Sequence, residues 1–67
     1  MMQLISLNSV QAMVEPDVYR ANITAEIDLM EQTVDYISRG TDPYGLGPAV
    51  WAAVQEWIVD GNTVDPA

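Results

Sequence analysis

Between Pro16 and Gly40 the larger apolar side chains recur at Tyr19, Ile23, Ile27, Met30, Val34 and Ile37, at intervals of four, four, three, four and three. That rhythm holds all six within one narrow stripe of a helix with 3.6 residues per turn. Pro16 suits a first helical turn, where its missing N–H costs nothing, and Gly40 suits the left-handed position that ends a helix. The spacing therefore predicts one long amphipathic helix over 16–39, and the rest of the chain must supply what its stripe packs against. Asp17 in the first turn and Arg39 in the last match the helix dipole, and Asp35 precedes Arg39 by four in the favourable order for an ion pair. Asp28, Glu31 and Asp35 fall opposite the stripe. A second apolar patch of Ala21, Ala25, Leu29 and Tyr36 leaves more surface to bury than one short neighbour covers. A further protein partner, or self-association, is expected.

The flanks follow from their punctuation. Residues 1–15 read as an N-terminal arm: Leu4, Ile5 and Leu7 suit a short strand or extended segment, and Asn8 or Ser9 can cap a helical turn over 9–14 that Pro16 stops. Residues 40–47 hold three glycines and an Asp42-Pro43 step, the composition of a loop. Pro48 then opens a second helix, 48–60, with Val50, Trp51, Val54, Trp57 and Ile58 on an arc of about 120° and Gly61 as its stop. Residues 61–67 are a turn-like tail. The fold class expected is all-α: one small domain, a helical hairpin with arms of ~36 Å and ~20 Å at 1.5 Å per residue, preceded by the arm or short helix. The second helix is expected to lie along Ile23, Ile27, Met30 and Val34 with Trp57 at the contact. Trp51, at the edge of the arc, is left for a partner.

Composition narrows the function classes. A chain of 67 residues buries only roughly 60% of its unfolded surface, and no cysteine is present to staple it. Ten acids face two arginines and no lysine, for a net charge of −8. Binding to nucleic-acid phosphates or to anionic lipid is disfavoured, and protein partners are the expectation. No apolar run reaches the about 18 residues that cross a bilayer. The opening Met1-Met2-Gln3-Leu4 lacks the positive stretch of a secretion signal, so an intracellular or virion-borne soluble protein is expected.

Without His, Cys or Lys the common nucleophile–base pairings are missing, and a two-helix chain has little room for a substrate pocket. No enzyme, cofactor or small-molecule substrate is expected. Asp28, Glu31 and Asp35 offer too few oxygens from one helix face to hold Ca²⁺ or Mg²⁺. Trp51 and Trp57 read as core or interface anchors rather than a base-stacking platform, which would need a basic groove. The sequon-like Asn22-Ile23-Thr24 is discounted, and Arg20 and Arg39 are read as surface ion-pair partners. The candidate interaction residues are Trp51, Trp57, Leu29, Tyr36, Asp28, Glu31 and Asp35.

The C-terminal run Trp57-Ile58-Val59-Asp60-Gly61-Asn62-Thr63-Val64-Asp65-Pro66-Ala67 resembles a segment common in tail and tail-fibre assembly proteins of tailed bacteriophages. There a Trp-containing helix turn leads into Gly-Asn-Thr, a variable residue, an acid and Pro; Val64 stands where that family often has Pro. Leu4-Ile5-Ser6-Leu7 followed by Val10 and the long acidic helix looks similar to phage head–tail adaptor proteins, although this chain is shorter than those and lacks their later strands. The resemblance implies a non-enzymatic structural or assembly protein, present in several copies, and assigns no functional residue. The alternative is a small acidic phage-encoded inhibitor that occupies a basic, nucleic-acid-binding surface of a host protein.

Overall fold

Residues 16–39 are not a helix but a β-hairpin. In the computed structural model, which describes residues 2–67, β1 (Met2–Ala12), β2 (Val18–Ile27) and β3 (Met30–Arg39) are followed by α1 (Gly47–Val59) and the short β4 (Val64–Asp65). The strands form one sheet in the order β3-β2-β1-β4, antiparallel except where β4 runs parallel to β1. The described residues are thus mostly β with one helix, which overturns the all-α helical hairpin. Met1, the first residue of the expected arm, lies outside the described residues.

The physical reason lies in the same intervals. Residues four apart share a face on a strand as well as on a helix. Along β2 the side chains Tyr19, Ala21, Ile23, Ala25 and Ile27 alternate with Arg20, Asn22, Thr24 and Glu26, the pattern of a strand with one buried face. The step of three from Ile27 to Met30 crosses a two-residue turn. Asp28 and Leu29 both take positive φ, +52° and +68°, and Ile27 pairs directly with Met30. Two positive-φ residues between paired strands make a type I′ hairpin turn. Such a turn shifts the alternation by one, so Val34 and Tyr36 return to the face of Ile23.

β1 conceals its alternation in another way. Leu4, Leu7 and Val10 are three apart, yet they stand opposite Ala25, Ile23 and Ala21 on the same face. Each interval holds one extra residue, because the register slips between Leu4 and Ser6 and again between Leu7 and Ser9. These are β-bulges. The helical turn expected over 9–14 is instead the end of β1 and its connection to β2, where Asp17 takes φ +59° and the Met13 N–H donates to the Val18 carbonyl.

Helix α1 occupies the stretch read as the second helix. It lays Val50 and Val54, both fully buried, onto Ala21, Ile23, Ala25 and Val10. Ile27, Val34 and Trp57 pack at the margin of this core, whereas Met30 is 65% exposed and takes no part in it. The loop into α1 is organised by Asp42. Its carboxylate accepts from the Tyr44 N–H and the Tyr36 hydroxyl, and it lies so close to Gly47 that a Cβ there would sit 2.6 Å from its Cγ.

The turn supplies a test that separates hairpin from helix by sign. A left-handed conformation costs a non-glycine residue roughly 1–2 kcal/mol, and the Leu29 side chain is 90% exposed, so little packing is lost with it. Leu29→Gly is expected to stabilise the protein by about 1 kcal/mol, seen as a rise of roughly 4–8 °C in Tm for a domain of this size. In the interior of a helix the same change would destabilise by about as much. A lowered Tm would refute the turn.

Candidate functional site

The strand alternation that buries one face of the sheet presents a polar face on the other. On it Asn8 reaches from β1 to β2, its Nδ2 donating to Asn22 Oδ1 at 3.0 Å and to Thr24 Oγ1 at 3.1 Å. Ser6 donates to Asn8 Oδ1 at 3.0 Å. The network continues to β3, where Asn22 Nδ2 donates to Asp35 Oδ1 at 3.1 Å and the Thr24 and Thr33 hydroxyls are hydrogen-bonded to each other at 3.2 Å. Hydrogen bonds of this kind between neighbouring strands fix rotamers. They hold Asp35 in place on the open face.

Glu26 and Glu31 are directly opposed on this face. Like charges so placed repel. Neither has a cationic partner: the ion pair found among the described residues joins Arg39 to Glu15 at 2.8 Å, between half-exposed side chains. Arg39 thus pairs with Glu15 and not with Asp35, the neighbour expected for it in a helix.

Both margins of the sheet are incompletely paired. β4 meets β1 only at Val10 and Gln11, so the stretch of β1 before them has an open outer side, with Met2 and Ile5 each about half exposed. β3 pairs with β2 along its whole length and, among the described residues, no strand covers its other side. Ile27 and Met30 flank a two-residue turn and so exchange both hydrogen bonds, which assigns the even residues of β3 to β2. The N–H and C=O groups of Glu31, Thr33, Asp35 and Ile37 consequently point outward from the sheet. Unlike β1, β3 carries no bulge, and it contains no proline or lysine to discourage pairing.

The structure divides the residues expected to mediate interactions. Asp28 and Leu29 form the hairpin tip, and Glu31 and Asp35 follow along the outer strand on the open face. These four share one margin. Tyr36, Trp51 and Trp57 belong to the other, helix-covered side. The Tyr36 hydroxyl donates to Asp42 at 3.3 Å; burial first, and then the neighbouring carboxylate, push its pKa above the ordinary tyrosine value. Trp51 leans on Tyr19 with ring centroids 6.2 Å apart and lies over Gly40, where a Cβ would approach its ring to 3.0 Å. Trp57 donates from Nε1 to the Thr63 carbonyl at 2.9 Å, clamping the chain as it leaves α1.

Asp28, Glu31 and Asp35 do not share a helix face: the first lies in the hairpin turn and the other two on β3. Glu31 and Asp35, four strand residues apart, are separated by roughly 13 Å. Among the described residues no group of three or more His, Cys, Asp or Glu is placed to hold a metal ion. The two-helix chain expected to leave little room for a pocket is replaced by a sheet and helix that leave some. A cleft of about 350 Å³ opens between the Glu15–Val18 turn, Arg39–Thr41 and Trp51, with the Glu15–Arg39 pair among its lining. The open face itself escaped the sequence reading, although the alternation Arg20, Asn22, Thr24, Glu26 announces it. Among the described residues no helix is long and apolar enough to cross a membrane.

Comparison with known proteins finds no matching family model, no similar curated protein and no similar solved structure.

Proposed function

We propose that this chain is a small non-enzymatic structural or assembly protein of a tailed bacteriophage, working through protein–protein contacts and present in several copies. The observation that carries the reading is the sheet with two unfinished margins. An unpaired strand margin is a template for another chain. The helix-face contacts expected of residues 16–39 are replaced by contacts along strand edges. The phage assignment draws on the C-terminal resemblance, whose residues act here as one unit. Gly61, at φ +81°, ends α1; Trp57 holds Thr63; Val64 and Asp65 pair with β1; and Gln11 Nε2 donates to the Pro66 carbonyl.

Sedimentation of the purified protein across a concentration series tests the reading. A concentration-dependent species larger than a monomer is expected, and it should grow with added salt, because screening relieves repulsion between copies that each carry −8. A monomer at every concentration and salt would remove the multiple-copy part. The second reading, an acidic inhibitor of a nucleic-acid-binding host protein, is favoured by the charge itself. It requires the opposite salt response: capture of a basic host protein that fades steeply as salt rises.

A further inference from the structure

We propose that β3 is a docking edge for an extended basic segment of another protein, which joins the sheet as a fifth strand antiparallel to β3. This rests on the protein-binding reading above and names the partner's chemistry. Two observations converge on it. The outward N–H and C=O groups of Glu31, Thr33, Asp35 and Ile37 form an uninterrupted row, the requirement for adding a strand. Those same four residues also direct their side chains to the open face, where Glu31 already faces Glu26 without a cation and Asp35 is held by Asn22.

The geometry specifies the guest. In an antiparallel pair, residues that exchange hydrogen bonds put their side chains on the same face. Taken from its N-terminus, the guest therefore presents an apolar residue opposite Ile37, a lysine or arginine opposite Asp35, a small polar residue opposite Thr33 and a second basic residue opposite Glu31. Its two basic residues are four apart. The intervening side chains fall on the helix side, beside the exposed Met30 and Gln32.

A second copy of this chain fits poorly. Its arginines are Arg20, on the inner strand β2, and Arg39, already bound to Glu15. The self-pairing register that sets Arg39 opposite Glu31 also sets Asp35 against Asp35 of the second copy. The register that sets Arg39 opposite Asp35 shortens the overlap to the last few residues of β3 and leaves Glu31 unanswered. The net charge of −8 opposes both and favours a cationic guest.

The test uses a capped nine-residue peptide of threonines, with valine second and lysines fourth and eighth, and follows its fluorescence anisotropy with the full-length protein. Saturable binding is expected, at least tenfold weaker with the double variant Glu31→Lys, Asp35→Lys. Two N-methylated peptides separate strand addition from charge attraction. Methylation of the fourth and sixth residues blocks amides that face β3 and should weaken binding at least tenfold. Methylation of the third and fifth, which face away, should leave it within about twofold. No binding, or equal binding by the two methylated peptides, overturns the proposal even if the charge-reversal variant is misfolded, since both use the unaltered protein. A protein that self-associates in sedimentation yet ignores the peptide loses this proposal alone. A monomer that binds it keeps strand addition and loses only the multiple-copy assembly.

Discussion

Ile23→Ala is expected to leave the protein largely unfolded at room temperature. Ile23 is fully buried at the centre of β2, between Leu7 and Val34 and beneath α1. Truncating a buried isoleucine to alanine costs roughly 2–5 kcal/mol, through lost transfer energy and the cavity left behind. A domain of this size commonly has only about 3–5 kcal/mol in total. Met30→Ala is the matched control. On a helical stripe Met30 would be the equal of Ile23; at 65% exposure in the strand after the turn, its loss should cost no more than about 0.5 kcal/mol. Urea unfolding followed by circular dichroism measures both. Equal effects at the two positions would contradict the hairpin.

Trp57→Ala should have the second-largest effect, about 2–3 kcal/mol, below the cost for a fully buried aromatic because Trp57 is only partly covered. Its ring packs at the margin of the core, and its Nε1 donates to the Thr63 carbonyl. Two roles are thus combined, and Trp57→Phe separates them. The phenyl ring keeps most of the packing and loses the hydrogen bond, for about 1 kcal/mol. Amide hydrogen exchange gives the more specific signature: Val64 and Asp65 should lose protection in the Phe variant while β2 and β3 keep theirs. If β4 is protected equally in the Phe variant, the indole does not hold the C-terminal strand.

The helix α1 was legible because its apolar residues have a single period and its ends are marked by Pro48 and Gly61. The hairpin was hidden because its turn is written Asp28-Leu29 rather than with asparagine and glycine. A two-residue turn between strands also mimics the three–four rhythm of a helix. Ala21 and Ala25, small and good helix formers, read as a secondary patch, whereas on β2 both are fully buried in the core that α1 covers. In β1 the two bulges convert a period of two into a period of three, a spacing that signals neither element. Of the candidate interaction residues, Asp28, Leu29, Glu31 and Asp35 do lie along one margin, but as turn and edge strand. Their shared location followed from chain proximity, and the outward row of backbone groups has no sequence signature of its own.

The pairing of Val10 with Val64 joins positions near opposite ends of the chain, and this orders the folding process in time. Bringing distant segments together costs closure entropy that grows with the length of chain between them. The β2–β3 hairpin closes across two residues and belongs to the microsecond events of folding. By contrast, β4 gains almost nothing until the hairpin, β1 and α1 are already assembled to receive it. It is therefore the last strand to dock and the first to open. For as long as it is away, β1 lacks its cover at Val10 and Gln11, and the nascent protein exposes bare strand on both flanks.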